Sequence, residues 1–197
     1  MMIPSKNDHF DVQYEGEQKQ FEGIFAHLHS LAGRNPVLNG SLDIITPTKT
    51  HDEYLPQNLV EYGKSLEKSY WNFACYNPQP TENWIIFNFK KNHKVFINAY
   101  TIRCGGSSHP KSWRIEGSND QDNWILLHEV QDCALLNRPR ATHTFIIDDK
   151  NNNQEHKNGF SFIRFVQTEN MSPKRERKYR INLKAFEFFG QYQSFSE

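Results

Sequence analysis

The sequence of 197 residues has few cysteines and no excess of charge of either sign. Its three cysteines, Cys75, Cys104 and Cys133, are too few and too irregularly spaced for a disulfide framework or a four-ligand zinc site. We therefore expect three free thiols. Lys and Arg together number 23, as do Asp and Glu, so no overall charge draws the molecule toward nucleic acid or an anionic membrane.

Long apolar runs are also missing. No stretch approaches the roughly 18 apolar residues of a membrane span, and the N-terminus MMIPSKNDHF lacks the apolar run of a signal peptide. We therefore expect a cytoplasmic protein without a membrane span. The mean hydropathy of −0.79 is low, yet 14% of the residues are aromatic, including 15 Phe. So many rings indicate a packed core rather than a disordered chain.

The first recognisable element is an amphipathic helix from Glu17 to Ala32. Gly33 stands where a helix would end in a left-handed residue. Apolar residues recur before it at spacings of three and four, as on one face of a helix: Phe21, Ile24, Phe25, Leu28 and Leu31.

Short β-branched and aromatic runs, separated by turn residues, begin at Trp84 and are typical of an antiparallel sandwich. We expect an all-β domain with core side chains at Trp113, Ile115, Trp124, Ile163 and Phe189. Between two runs, residues 118–123 (SNDQDN) predict a tight hairpin turn.

The predicted organisation is one domain (17–190) between a polar N-terminal tail (1–16) and a C-terminal tail (191–197). Within the domain we expect the helix (17–32), a loop-rich part (33–83) and the sandwich core (84–190).

Three motifs in the second half resemble the discoidin family, the C-type domains named after coagulation factors. Residues 109–120 (HPKSWRIEGSND), followed by Trp124, are similar to the family's central hairpin. Residues 162–168 (FIRFVQT) and 186–190 (FEFFG) follow in the family's order. The resemblance implies an antiparallel jelly-roll β-sandwich of the galactose-binding-like type, with ligand loops gathered at one end.

Upstream, residues 21–24, 35–36 and 58–60 look like the leader of intracellular protist members. Secreted members commonly join their two ends through a disulfide, but here the first cysteine, Cys75, lies well inside the domain. The resemblance implies a non-catalytic module for protein–protein interaction within a larger assembly, such as a cytoskeletal, microtubule-based or ciliary one. Two alternatives stay open, a carbohydrate-binding module and a substrate adaptor of a ubiquitin ligase. The resemblance also indicates Asn39 and Glu187 as positions for structural calcium, but the early loop offers few carboxylates, so we expect no cofactor.

Two segments are candidates for partner binding. One is aromatic without strand alternation and includes Tyr70, Trp71, Phe73 and Tyr76. The other holds five cations and one acid, in a molecule of zero net charge, and would meet an acidic protein surface through Lys174, Arg175, Arg177, Lys178, Tyr179 and Arg180. We expect no catalytic residues, because Glu116 and Glu187 lie within strand patterns and no motif for a nucleophile or a phosphate loop is present.

Overall fold

The computed structural model describes residues 9–47, 55–61, 73–76, 83–148, 158–172 and 180–195, and gives only the backbone of 73–76. The helices are α1 (Ile24–Ala32) and two short 3-10 helices, Glu17–Lys19 and Pro56–Val60. The strands are β1 His9–Val12, β2 Asp43–Ile45, β3 Phe73–Tyr76, β4 Asn83–Asn88, β5 His93–Cys104, β6 Pro110–Ser118, β7 Ile125–Val130, β8 Thr142–Ile146, β9 Phe162–Asn170 and β10 Arg180–Ser194.

These strands form two sheets. Sheet one has the order β1-β10-β5-β8, with β3 also paired to β10, and sheet two has the order β2-β4-β9-β6-β7. Every strand pair in the described residues is antiparallel. The predicted all-β sandwich with one N-terminal helix is therefore confirmed.

The core between the sheets is rich in rings, as the composition predicted. Phe186 of β10 contacts Phe87 of β4 and Phe165 of β9, with ring centroids 5.0 and 5.8 Å apart, so rings from both sheets interlock. Four of the five predicted core residues have no exposed surface: Trp113, Ile115, Ile163 and Phe189.

The prediction for Trp124 is wrong. Its side chain is only half-buried, its indole Nε1 donates to the carbonyl oxygen of Gln121, and the guanidinium of Arg164 lies 4.1 Å from its ring centroid. Trp124 precedes β7, which begins at Ile125, so the strand alternation that points side chains inward does not reach it.

The helix prediction is right in kind but too long. α1 begins at Ile24, after a separate 3-10 turn, and ends at Ala32. The next residue, Gly33, has a left-handed φ of 66°, as expected. Ile24, Phe25 and Leu28 are buried, whereas Leu31 is exposed. The helix therefore presents a shorter apolar face than the spacing predicted.

Strand β10 is the central strand of sheet one and extends beyond the predicted domain boundary at residue 190. Its residues 190–193 pair with β1, and residues 180–183 pair with β3. Residues 9–12 and 191–194, which the sequence placed in tails, are therefore part of the sheet. Between these two paired stretches, the edge of β10 faces Gly23, and a Cβ atom there would lie 2.2 Å from the carbonyl oxygen of Phe188.

The turn between β6 and β7 forms as predicted. The carboxylate of Asp120 accepts the backbone N–H groups of Asp122 and Asn123, at 2.9 and 2.8 Å. The hydroxyl of Ser118 accepts those of Asp120 and Gln121, and Gln121 has a left-handed φ of 68°. The polar cluster thus satisfies its own backbone.

Candidate functional site

One end of the sandwich gathers the connections that follow β5, β7 and β9. We call it the loop end and define it by residues 105–109, 131–141, 170–172 and 180. Two backbone hydrogen bonds join its parts: the N–H of Gly105 donates to the carbonyl of Asn182, and that of Met171 donates to the carbonyl of His109. This is where the resemblance predicted the ligand loops.

Asn170 ties together the two points at which the basic segment leaves and re-enters the sheet. Its Oδ1 accepts the N–H of Ser172 at 3.0 Å, and its Nδ2 donates to the carbonyl oxygen of Arg180 at 2.9 Å. Gln167 Nε2 donates to the same carbonyl at 3.1 Å. Asn170 and Gln167 are both buried, so the base of this segment is fixed by the sandwich.

Most of the predicted binding residues lie outside the described residues: Tyr70, Trp71, Lys174, Arg175, Arg177, Lys178 and Tyr179. Arg180 is described and is half-buried at the start of β10. The backbones of Phe73 and Tyr76 lie in β3, where Tyr76 is the register partner of Arg180. The described residues Tyr76 and Arg180, one from each candidate segment, are therefore paired at the loop end, and the role of the two segments in binding stays a prediction.

A groove of about 510 Å³ opens beside Asn170. Lys111 Nζ forms ion pairs with Asp132 at 2.9 Å and Glu169 at 3.1 Å across it, and these partners raise the pKa of Lys111. Asn137, Met171 and Ser172 line the rest with Cys133 and Ala134. Sequence analysis missed this groove, because its charged residues come from three different elements.

A second basic group at this end was also missed. Lys184 occupies a β-bulge in β10 and is only 6% exposed, and burial lowers its pKa, as do the charges of Arg140 and Arg103. Arg103 is oriented by the hydroxyl of Thr142, which accepts from its Nε at 2.9 Å, and by the ring of Phe21, 4.7 Å away. The loop end thus carries basic side chains on the sandwich itself.

Glu187 is fully buried and caps the N-terminus of α1. Its carboxylate accepts the backbone N–H groups of Gly23, Phe25, Ala26 and Phe188 at 2.9–3.2 Å. Burial raises its pKa to about 7, against the lowering effect of these donors. No sequence signal near the helix predicts this cap, because the carboxylate comes from β10.

Neither position considered for calcium fits that ion. Both oxygens of Glu187 face N–H donors, and the amide of Asn39 is bound to the carbonyl of Arg34 and the N–H of Ser41. In the described residues, no three His, Cys, Asp or Glu side chains are grouped to hold a metal ion. That the protein uses no cofactor stays a prediction.

The other glutamate considered for catalysis, Glu116, serves as the partner of two arginines. Its carboxylate accepts from Arg114 Nε at 2.9 Å and from Arg164 Nε at 2.8 Å.

Cys104 and Cys133 are buried free thiols. Burial raises the pKa of Cys104 to about 12, and the charge of Cys133 acts in the same direction. A thiol with so high a pKa is a poor nucleophile. The side chain of Cys75 is not described.

Within the described ranges, neither α1 nor another helix has the length and apolar character needed to cross a bilayer.

Comparison with solved structures supports the fold. The chain is similar to chitosan-binding module 1 from the chitosanase/glucanase of Paenibacillus sp. IK-5, with 13% identity, a TM-score of 0.54, and 76% of this chain and 96% of that one covered. It is also similar to CpGH89CBM32-5 from Clostridium perfringens, in complex with GalNAc-beta-1,3-galactose, with 14% identity, a TM-score of 0.51, and 76% and 96% covered. At such identities these likenesses concern the fold.

No curated protein matches the chain. The family model of the F5/8 type C domain matches residues 44–180, from β2 to the first residue of β10. This range is well over half of the sequence and contains the central hairpin and the FIRFVQT motif on which the resemblance rested. The chain therefore belongs to the F5/8 type C, or discoidin, domain family.

Proposed function

We propose that this discoidin-type module is non-catalytic and holds an acidic protein partner at its loop end. Domains of this family bind carbohydrates or proteins. The observation that carries the proposal is the fixed base of the basic segment: Asn170 and Gln167 hold both of its ends on the sandwich. A charged segment anchored at both ends loses less conformational entropy on binding than a free tail.

Charge at this end supports an acidic partner. The sequence between Ser172 and Arg180 contains Lys174, Arg175, Arg177 and Lys178 with one acid, Glu176. Arg103 and Arg140 add cations beside the nearly buried Lys184 of β10. A basic field of this kind accelerates encounters with an acidic surface, although each exposed pair contributes only ~0.2–1 kcal/mol and is screened beyond ~8 Å at physiological salt.

Lasting affinity requires apolar anchors in addition to charge. The aromatic residues Tyr179 and Trp71 belong to the two segments that meet where Tyr76 pairs with Arg180. In this proposal the cations set the rate and orientation of binding, and these rings supply much of the affinity. A large cytoplasmic assembly with an acidic surface, such as a microtubule or another cytoskeletal or ciliary polymer, fits this chemistry.

The test is a variant in which Lys174, Arg175, Arg177 and Lys178 are all changed to Ser. The control changes Lys90, Lys91 and Lys94 to Ser, which removes three cations, against four in the test variant, from the β4–β5 region at the opposite end. Binding to a polyglutamate peptide and to microtubules is measured at low and at physiological salt. We expect the loop-end variant to lose binding most strongly at low salt, with an unchanged melting temperature. Equal binding by the parent and both variants would refute the proposal.

Carbohydrate binding is a second candidate at the same end. The groove beside Asn170 has the amide of Asn137 and the side chain of Ser172 in its lining, which are groups that hydrogen-bond to sugar hydroxyls. The fold is also similar to those of a chitosan-binding module and of a module in complex with GalNAc-beta-1,3-galactose. NMR titration with these two glycans distinguishes the candidates: shifts at Asn137 and Met171 favour the sugar, and their absence removes it.

A further inference from the structure

Three polar side chains that do not line the loop-end groove form a hydrogen-bonded chain through the core. The indole Nε1 of Trp113 in β6 lies 2.8 Å from the hydroxyl oxygen of Tyr100 in β5, and that oxygen lies 2.8 Å from His128 Nδ1 in β7. Trp113 and Tyr100 have no exposed surface, and His128 is half-buried. The chain therefore links sheet one to the edge strand of sheet two.

Trp113, the first member of the chain, fixes the direction of these hydrogen bonds. An indole N–H can only donate, so the oxygen of Tyr100 accepts from Trp113 and its own proton needs another acceptor. The acceptor at 2.8 Å is His128 Nδ1, which must then carry no proton. His128 is therefore neutral, with its proton on Nε2.

A proton on Nδ1 of His128 would break this arrangement. Two donors would then face the oxygen of Tyr100, and the tyrosine proton would lose its acceptor inside the core, where an unsatisfied polar group is costly. Tyr100 cannot relieve the conflict by ionising, because burial raises its pKa.

Several charged or titratable groups surround the chain. Asp148, after β8, raises the pKa of His128, but burial lowers it more. Burial raises the pKa of Tyr100, and Cys133, in the β7–β8 connection, raises it further. His143 contacts the ring of Phe145, which stacks on Tyr100 at 5.4 Å. Glu129, beside His128, accepts from Gln131.

Strand β7 is the element that loosens most easily when this hydrogen-bonded chain is broken. Among the described strands it is the last of sheet two and pairs with β6 alone, and it has six residues. We infer that the Trp113–Tyr100–His128 chain is a proton-sensitive latch: it holds β7 on the sandwich while His128 is neutral and loosens β7 when His128 gains a proton.

The sign of the pH dependence follows from the lowered pKa of His128 in the folded state. The unfolded chain takes up the proton first, near the ordinary histidine value of 6.5. Stability from the latch is therefore complete above this pH and is lost as the pH falls below it, until the folded state also binds the proton.

Hydrogen exchange of the β7 backbone amides at pH 7.5 and 5.5, corrected for intrinsic rates, tests the latch. We expect the opening equilibrium constant of β7 to rise by about tenfold at the lower pH. In a His128→Gln variant the amide oxygen accepts from Tyr100 at both pH values, so the rise should vanish. The matched control, His143→Gln in β8, should keep it.

A second measurement decides the case if the variant folds poorly. Nitrogen-15 NMR of the parent reports which ring nitrogen of His128 carries the proton at pH 7.5. An unprotonated Nδ1 agrees with the latch. A proton on Nδ1, or a pH-dependent opening of β7 that survives His128→Gln, overturns it.

Discussion

The outer faces of the two sheets each bury a glutamate, and they do so by different means. On sheet two, Glu116 lies between two guanidinium groups, those of Arg114 and Arg164, whose side chains are 28% and 20% exposed. On sheet one, Glu187 has no exposed surface, and its described hydrogen-bond donors are all backbone N–H groups, three at the start of α1 and that of Phe188 in β10.

The difference shows what neutralises a buried carboxylate. Glu116 keeps full cations that still reach water, so part of the desolvation cost is avoided. Glu187 has only the partial positive charge of a helix N-terminus and fixed N–H dipoles. In return, one side chain joins α1 to the central strand of sheet one. The effects on stability of substitutions at these two residues should therefore differ in size and in their dependence on pH.

The largest effect is expected from Glu187→Ala. It removes the acceptor of three buried N–H groups and one partly buried N–H group and leaves a cavity, which should lower the free energy of unfolding by ~3–5 kcal/mol. Urea denaturation at neutral pH measures this, with Glu22→Ala, an exposed position next to Gly23, as the control. A loss below ~1 kcal/mol would mean that α1 does not depend on this cap.

The pH dependence of stability should separate Glu187 from the rest of the protein. Its folded-state pKa is raised from 4.5 to about 7, so its contribution is fully present below pH 4.5 and is lost as the pH rises through about 7. The loss should reach about 3 kcal/mol at high pH. Unfolding followed from pH 5 to 9 measures it, with Glu187→Gln expected to remove this decline and Glu116→Gln to keep it. A decline unchanged in Glu187→Gln would assign it to another group.

Glu116→Ala should destabilise the protein less than Glu187→Ala does. The change leaves Arg114 and Arg164 facing each other without their shared carboxylate, but both are partly exposed and regain water. We expect a loss of ~1–3 kcal/mol by urea denaturation. Glu129→Ala, on the exposed side of β7, is the control. A cost equal to that of Glu187→Ala would remove the distinction between the two sites.

The smallest effect is expected from Trp124→Ala. This ring is half-buried and stacks beneath the Arg164 guanidinium at 4.1 Å, a contact of ~0.5–2 kcal/mol. Trp113→Ala should cost more, ~3–5 kcal/mol, because that ring is fully buried in the core. Thermal unfolding of the two variants compares their losses of stability directly. Equal losses would mean that Trp124 contributes as much as a core residue.

The residues that sequence analysis placed correctly lie within regular alternation. Trp113 and Ile115 point inward because they are two apart on β6, and Ile163 follows the same rule on β9. Trp124 was misplaced because it lies in the turn before β7, where alternation has not begun. Strand β1 was taken for a tail, because four residues without a partner in view carry too little pattern to predict a strand.

The candidate site was predicted only in part. A local excess of cations in residues 174–180 is visible in the sequence, and the family motifs place it at the loop end. The groove depends on Lys111, Asp132 and Glu169, which only the packing of three elements brings together. The basic neighbours Arg103, Arg140 and Lys184 likewise converge only in the folded chain.

The sequence by itself determined the antiparallel sandwich, its ring-rich core, the β6–β7 turn and the family. Each of these depends on short-range periodicity, turn chemistry or ordered motifs, which adjacent residues contain. The tertiary structure alone decided that Glu187 caps α1 and that Trp124 lies outside the core. It also decided the pairing of residues 9–12 with residues 190–193 in sheet one and the Trp113–Tyr100–His128 chain. These depend on strand register and on contacts between distant residues, and neither is encoded within one window of sequence.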